Sequence, residues 1–241
     1  MKASGLKQRI RDRKTVVGLR APISANRDYF QRALDQEAYE FVFTDGQHSA
    51  VDDSQLVAFC ALADEFDLPV RFRPKHALHS KLIGNLLDFG VGGVEIPQTE
   101  REQTAYEAIE NFYYPPIGRR SIGGGARLKI ENYADDRLYA DWWNGNGVLW
   151  LQIESLSAVL HAHKLAKPEV DCLSIGPNDL AFDIEAHPNP PYKTVEECVG
   201  AVVRTIENTN TAVCFRTGTP ERRQVFADLG VTVFLENPKI N

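Results

Sequence analysis

Polar side chains of the kinds that bind cations and transfer protons interrupt three apolar stretches of this sequence. The stretches are FVFTDGQH at 41–48, WLQIES at 150–155 and CLSIGPNDLAF at 172–182. Asp45 and His48 follow the first apolar run, and Glu154 and Asp179 follow the second and third. Because charged groups are rarely buried without a partner, these positions are candidates for a functional site.

Glu154 and Asp179 supply two carboxylates that have no Cys or His beside them in the sequence. A set of hard oxygen ligands suits Mg²⁺ or Mn²⁺ and leaves coordination positions for water or substrate. A structural zinc site would want more nitrogen or sulfur ligands. The alternative is that Glu154 caps the following helix and that Asp179 braces a turn.

His48 is a candidate acid-base group, because an unperturbed imidazole titrates at a pKa of about 6.5. Asp45, three positions earlier, can orient the ring as its carboxylate partner. The alternative is a histidine that is hydrogen-bonded to the backbone of its own loop.

Arg73 is the last residue of the strand-like run VRFR at 70–73, and Pro74 after it stops regular strand pairing. A guanidinium at this position can hold a planar carboxylate through two parallel donors, or stabilise the oxygen of an enolate. The alternative is a structural salt bridge between Arg73 and a neighbouring acid.

Eight strand-like apolar runs recur along the chain. The runs lie at 15–19, 41–44, 70–73, 93–97, 148–153, 170–175, 212–216 and 231–236. They are continuous rather than alternating, which is typical of parallel strands covered on both faces, and segments with helical spacing separate them. Eight strands and intervening helices in 241 residues predict an α/β fold, a (β/α)8 TIM barrel, as a single domain over 1–241.

Catalytic groups of such barrels lie at the C-terminal ends of the strands. The polar residues named above follow the second, third, fifth and sixth predicted strands, so they are expected at one mouth. Two longer segments, 99–147 and 181–192, are predicted to be loops over that mouth. The glycines at 123–125 are predicted to act there as a hinge or pocket lining.

Composition excludes several other classes of protein. The net charge of -6 argues against nucleic-acid binding, and the basic run KQRIRDRK at 7–14 is predicted to be a solvated first segment. No apolar run approaches the roughly 18 residues of a membrane span. The four cysteines form no CxxC pair and no apolar signal region opens the chain, so a cytoplasmic protein is expected.

Five motifs occur in an order that resembles the HpcH/HpaI aldolase family. The motifs are DGQH, VRFRP, YYPPIGRRSIGGGAR, LQIES and SIGPNDLA. The similarity runs from about residue 15 to 182 and more weakly to 235. It implies a divalent-metal-dependent lyase that cleaves or forms 4-hydroxy-2-oxo acids, with pyruvate and an aldehyde as the products of cleavage, through a metal-bound pyruvate enolate.

The resemblance also implies roles for individual residues. Glu154 and Asp179 would be the metal ligands, for Mg²⁺ or Mn²⁺ and possibly Co²⁺. Arg73 would stabilise the enolate, and His48 with Asp45 would form the acid-base pair. Gln152, Gly176 and Asn178 would line the site of the pyruvate carboxylate and keto oxygen. The implied partners are a small 2-oxo acid, an aldehyde and further copies of the chain in a trimer or hexamer.

The sequence departs from the family pattern at three places. Gln47 stands where the family usually has Glu, Glu95 precedes Ile96 and Pro97 where the family runs apolar-Val-Pro, and CFRTG at 214–218 replaces a glycine-rich stretch. Two other functions therefore stay open. One is a metal-dependent hydrolase or decarboxylase of an oxo acid at the same site, and the other is a non-catalytic barrel that binds an oxo acid.

Overall fold

The protein forms a closed barrel of eight parallel strands in a computed structural model that describes residues 5–240. Each strand pairs with the next along the chain, and the eighth pairs with the first. The strands are β1 Val16–Arg20, β2 Phe41–Asp45, β3 Val70–Arg73, β4 Gly93–Ile96, β5 Val148–Ile153, β6 Cys172–Ile175, β7 Ala212–Gly218 and β8 Val233–Glu236. The predicted (β/α)8 barrel is confirmed. The ends of the predicted domain, residues 1–4 and residue 241, lie outside the described range.

Helices connect the strands, and five of them begin at a residue whose side chain accepts a backbone N–H of the first turn. The α-helices within the described range are α1 Leu6–Arg11, α2 Arg27–Leu34, α3 Asp53–Asp64, α4 Ile83–Leu87, α5 Glu102–Phe112, α6 Asp136–Asn146, α7 Leu156–Leu160, α8 Ala162–Leu165, α9 Pro177–Ala186, α10 Val195–Thr205 and α11 Arg223–Ala227. Short 3₁₀ segments span Ala77–Lys81, Ile130–Asn132 and Pro220–Arg222. Asp52 and Gln55 form a reciprocal capping box at the start of α3. Across residues 5–240, no helix combines the length and apolarity that a membrane crossing requires.

Side chains of each strand alternate between the barrel interior and the surrounding helices. The apolar interior layer consists of Val16, Phe41, Phe43, Val148, Trp150, Cys172, Ala212, Cys214, Val233 and Leu235, with two residues of α1. Two residues after Phe43 on β2, the next inward-facing side chain is Asp45. Two residues after Trp150 on β5, it is Gln152. The interior is therefore packed at the N-terminal end of the barrel and polar at the C-terminal end.

The N-terminal end of the barrel is closed by α1, which carries much of the basic run. Leu6 and Ile10 of this helix join the interior layer. Lys7 is buried with its Nζ 3.4 Å from Asp171, and Arg11 Nε lies 2.6 Å from the same carboxylate. The prediction of a solvated first segment was wrong, because these cations neutralise a buried acid in front of β6.

The segment 99–147 is not the loop over the mouth that its composition suggested. It contains α5 and α6, and α5 packs on the outside of the barrel against β5. Gly124 approaches Asp88 in the turn before β4, so the glycine run at 123–125 lies near the N-terminal end of that strand rather than at the mouth. The segment 181–192 likewise begins as helix, since α9 continues to Ala186.

Candidate active site

A cavity of about 520 Å³ opens at the C-terminal ends of the strands. Its lining contains most of the site residues expected from the sequence: His48, Arg73, Gln152, Gly176, Asn178 and Asp179. Asp45 and Glu154 are buried beside it. A volume of this size suits a small-molecule ligand.

Arg73 and Asp45 form a two-pronged ion pair at the floor of this cavity. Their Cα atoms are partners in the register of β2 and β3, so both side chains point inward at the same level. Arg73 Nε donates to Asp45 Oδ1 at 2.8 Å, and Nη2 donates to Oδ2 at 2.6 Å. Burial acts to raise the pKa of Asp45, but the hydrogen bonds and charge of Arg73 outweigh it and hold that pKa below its usual range.

Gln152 links this ion pair to Glu154. Arg73 Nη1 donates to Gln152 Oε1 at 3.1 Å, and Gln152 Nε2 donates to Glu154 Oε2 at 2.6 Å. Glu154 does not cap the helix that follows, because Ser155 Oγ accepts from the Ala158 amide at the start of α7. A continuous hydrogen-bonded chain therefore runs from the end of β2 through β3 to the end of β5.

The turn from β6 into α9 forms the wall of the cavity next to the end of β5. Gly176 donates its N–H to Ile153 O at 2.8 Å, which brings the turn against the end of β5. A side chain at this position would collide with Glu154 Oε2 and stand 2.6 Å from Gln152 Nε2, so glycine permits the close approach. Asn178 and Asp179 lie in the first turn of α9 and are exposed to the cavity.

His48 is exposed at the rim of the cavity, in the loop that follows β2. No hydrogen bond joins its ring to Asp45 in the described structure. The Asp45 carboxylate accepts hydrogen bonds from Arg73, and its Oδ1 also accepts from the backbone N–H of Gln47 at 2.9 Å. In the described structure Asp45 therefore bonds Arg73 and the Gln47 backbone, and the pairing of Asp45 with the His48 ring stays a prediction.

Residues 23–226, more than half of the chain, match the family described as HpcH/HpaI aldolase/citrate lyase. The chain belongs to this family. It is 29% identical over 163 residues to the 5-keto-4-deoxy-D-glucarate aldolase of Shigella boydii serotype 18 (strain CDC 3083-94 / BS512), covering 67% of this chain but only 62% of that relative. It is 27% identical over 228 residues to the 2-keto-3-deoxy-L-rhamnonate aldolase of Escherichia coli O17:K52:H18 (strain UMN026 / ExPEC), covering 90% of this chain and 80% of the relative.

A solved HpcH/HpaI structure shares the architecture of the barrel. The structure is that of the HpcH/HpaI aldolase from Desulfitobacterium hafniense DCB-2. It matches with a TM-score of 0.83 at 23% identity, over 96% of this chain and 89% of that chain. The shared fold places the strand ends that carry the candidate residues on one face.

The residues of this HpcH/HpaI chain fit a divalent cation at Glu154 and Asp179. Glu154 Oε1 is buried and has no hydrogen-bond partner among the described residues. Burial first, and then the nearby charge of Asp179, raise the pKa of Glu154 to about 7. Two carboxylates that repel each other beside an unpartnered oxygen are what a cation would stabilise. Within residues 5–240 no third acid, histidine or cysteine completes such a group, so water and substrate would supply the other ligands.

The structure also places at the mouth two charged residues to which sequence reasoning assigned no role. Glu95 is fully buried on β4, and Arg216 on β7 reaches across the barrel to bind it. Both side chains point into the barrel. Glu95 comes two residues after Gly93 on β4, and Arg216 comes two residues after Cys214, a member of the interior layer, on β7. The sequence signal was a charged residue inside an apolar strand, at the same alternation as the interior layer. Only the barrel shows that these two charges meet.

Proposed function

We propose that this protein is a divalent-metal-dependent aldolase that cleaves 4-hydroxy-2-oxo acids to pyruvate and an aldehyde, or forms them from these products. The observation that carries the proposal is the hydrogen-bonded chain from Asp45 through Arg73 and Gln152 to Glu154, beside the cavity that His48 and Asp179 line. Membership of the aldolase family and the two sugar-acid aldolase relatives support this reaction class.

Glu154 and Asp179 would hold the cation, which would be Mg²⁺, Mn²⁺ or Co²⁺. When bound, such a cation supplies Lewis-acid polarisation of a carbonyl group. The backbone N–H groups at the start of α9, around Asn178, would suit the carboxylate of the keto acid, because a helix N-terminus favours an anion.

Arg73 would stabilise negative charge on the keto oxygen in this proposal. Three of its five N–H donors are used on Asp45 and Gln152, which fixes the plane of the guanidinium and leaves two donors without an acceptor among residues 5–240. Asp45 is accordingly the positioning group of Arg73 in this proposal. A donor fixed before reaction stabilises developing charge without reorganisation in the transition state.

His48 is the group that we assign to proton transfer at the aldehyde end. In cleavage, its imidazole takes the proton of the C4 hydroxyl, the C3–C4 bond breaks, and the electron pair passes into the keto-acid fragment. Protonation at C3 then completes pyruvate, while the C4 oxygen becomes the aldehyde carbonyl. The exposed position of His48 gives it access to solvent for return of the proton.

Product analysis with and without metal tests this function. The purified protein is treated with chelator, and racemic 4-hydroxy-2-oxo acids are then supplied with no metal, Mg²⁺ or Mn²⁺. Equal amounts of pyruvate and aldehyde, released only with metal, are expected. Release that is indifferent to chelator would contradict the metal requirement, and an oxo acid consumed without aldehyde would indicate hydrolysis or decarboxylation instead.

We also propose that the chain assembles with copies of itself into a trimer or hexamer. Large apolar side chains are exposed around α4 and α5, including Leu78 at 73%, Leu82 at 54% and Tyr106 at 51%. Clusters of exposed apolar residues are common at protein interfaces. Sedimentation equilibrium of the full chain tests the assembly, and a monomer across micromolar concentrations would reject it.

A further inference from the structure

Arg71 is a buried cation at the N-terminal end of the barrel, at the opposite end from the cavity. Its side chain is 1% exposed, and it points inward two residues before Arg73 on β3. Nη1 donates to Val70 O at 3.3 Å, and the guanidinium carbon lies 6.0 Å from the centre of the Phe41 ring. Nε is buried and has no hydrogen-bond partner among residues 5–240. Arginine has five N–H donors, and a buried charge without such partners costs desolvation free energy.

The acid whose charge acts on Arg71 is bonded to other groups. This acid is Asp171. Its Oδ1 accepts from Arg11 Nε at 2.6 Å, and its Oδ2 accepts from the backbone N–H of Leu149 at 2.9 Å and lies 3.4 Å from Lys7 Nζ. Burial lowers the pKa of Arg71 to about 9, because the attraction of Asp171 does not compensate for it. Asp171 therefore serves Arg11 and Lys7, and Arg71 has no bonded anion within the described part of the chain.

The neighbouring cation Lys7 differs from Arg71 in its hydrogen bonds. Lys7 Nζ donates to Tyr113 Oη at 2.8 Å and to Gly147 O at 2.7 Å. Burial lowers the pKa of Lys7 to about 8 against the attraction of Asp171, and the positive charges of Arg11 and then Arg71 act in the same direction as burial. An additional negative charge near Arg71 would therefore stabilise both cations.

A narrow crevice reaches Arg71 from the surface. Its lining includes Arg71, Gly92, Leu128, Trp142 and Asn146, and no acidic residue lines it within the described range. A Cβ at Gly92 would stand 2.9 Å from Arg71 Nη1, so the guanidinium passes directly against this glycine. Leu128, Trp142 and Asn146 are only partly buried, which gives the crevice a route to solvent.

The size of the crevice limits what it can hold. Its volume is about 10 Å³, close to the smallest space that accepts one water molecule. Halide ions are close to water in size, whereas sulfate and phosphate are larger. A water molecule would accept hydrogen bonds from Arg71 but would bring no net charge. In a low-dielectric interior the attraction between opposite charges favours the anion.

We propose that this crevice binds a single small anion, chloride, against the guanidinium of Arg71. The anion would be a structural ligand that neutralises the buried arginine and stabilises the folded barrel. Because the site lies at the opposite end from the cavity, the inference does not depend on the proposed aldolase function.

Thermal unfolding of the full chain in two sodium salts tests this site. Chloride is compared with methanesulfonate, an anion too large for the crevice, at equal ionic strength. The wild-type protein is expected to have the higher Tm in chloride. A tenfold excess of chloride over its Kd would raise the folding constant by about tenfold, and the Tm by about 3 to 6 °C. Arg71→Met should abolish the difference between the salts. In methanesulfonate it should unfold no earlier than wild type, because it leaves no unpaired buried charge.

Two further variants keep the test decisive. Gly92→Ala keeps Arg71 but puts a methyl group into the crevice, and Gly92 is not among the residues of positive φ. It should lose the response to chloride even if Arg71→Met fails to fold. Arg137→Met removes an exposed cation from α6, the helix that carries Trp142, and should keep the response. If Arg137→Met abolishes the response as fully as Arg71→Met does, general charge screening explains it and the inference is overturned.

Bromide locates the anion directly, because its anomalous scattering distinguishes it from water. Crystals of the wild-type protein soaked in bromide are expected to show an anomalous peak in the crevice between Arg71 and Trp142, and crystals of Arg71→Met should lack it. A Tm that does not distinguish the two salts would show that the crevice holds water and would overturn the inference. Bromide bound only at exposed cations, or an equal response of wild type and Arg71→Met to chloride, would overturn it as well.

Discussion

Asp45 and Arg73 face each other across the β2–β3 ladder, and the guanidinium bonds both carboxylate oxygens, at 2.8 and 2.6 Å. This geometry pairs Asp45 with the arginine at the same level of the adjacent strand. A carboxylate that is bonded twice in this way orients the arginine plane. The remaining donors of Arg73 are therefore held toward the cavity before a substrate arrives.

Replacing Arg73 with lysine tests whether the paired N–H donors of the guanidinium, and not its charge alone, contribute to turnover. Arg73→Lys keeps a cation beside Asp45 but replaces the planar guanidinium, whose three nitrogens bond Asp45 and Gln152, with a single ammonium nitrogen. We expect kcat for pyruvate release to fall by about 10²- to 10³-fold, as for loss of an oxyanion donor. Coupled detection of pyruvate measures this effect. An unchanged kcat, with a lowered melting temperature, would show that Arg73 is only structural.

The raised pKa of Glu154 predicts how metal affinity depends on pH. The pKa is about 7 without metal, so the carboxyl is largely protonated below that pH and competes with the cation. The apparent Kd for Mn²⁺ should therefore fall by up to about tenfold per pH unit as the pH rises toward 7, and level off above it. Titration calorimetry between about pH 5 and about pH 8 measures this dependence.

Glu154→Gln and Glu185→Gln serve as the matched pair for that titration. Glu185 is an exposed acid on α9 that does not line the cavity. Its substitution should leave the curve in place, whereas Glu154→Gln should weaken Mn²⁺ binding at every pH. A curve that Glu154→Gln leaves intact would assign the titrating group elsewhere.

Adding a single methyl group at Gly176 should disrupt the site without breaking the barrel. The backbone of Gly176 has φ -92°, which alanine adopts readily, but its Cβ would collide with Glu154 Oε2. Gly176→Ala should therefore displace Glu154 and lower both metal affinity and kcat/KM by about tenfold or more, as supporting contacts of metal ligands typically do. Gly125→Ala is the control, because nothing lies within 4 Å of a Cβ at that position. Equal effects of the two substitutions would contradict a role for the Gly176 turn.

His48 can be removed with little effect on the fold, because its side chain is exposed. His48→Gln should change the unfolding free energy by no more than about 0.5 kcal/mol. It should lower kcat for cleavage by about 10²- to 10⁴-fold, the range for loss of a general acid-base group. His187→Gln, an exposed histidine outside the cavity lining, should retain the wild-type rate. A His48 variant with the wild-type rate would assign proton transfer to another group or to water.

Local sequence patterns predicted the strands because each strand is recognisable from its own residues. The apolar runs at 41–44, 70–73 and 148–153 coincide with observed strands to within one residue at each end. Local patterns predicted the structure less well where contacts between distant segments determine it. The basic run before β1 resembled a solvated segment, yet Lys7 and Arg11 are docked on Asp171, far away in the sequence. The segment 99–147 contained aromatic and glycine residues typical of loops, and tertiary packing made two of its parts helical.

The sequence by itself determined which side chains stand at the strand ends, and therefore which residue types meet at the mouth of the barrel. Parallel strands in a closed sheet share one direction, so their C-terminal ends converge whatever the register. Only the tertiary structure decided the partners: Arg73 with Asp45, Gln152 with Glu154, and Arg216 with Glu95. These pairings depend on which face each residue occupies and on the level at which neighbouring and opposite strands bring their side chains together. Those quantities are set by the closure of the whole barrel and not by any one segment.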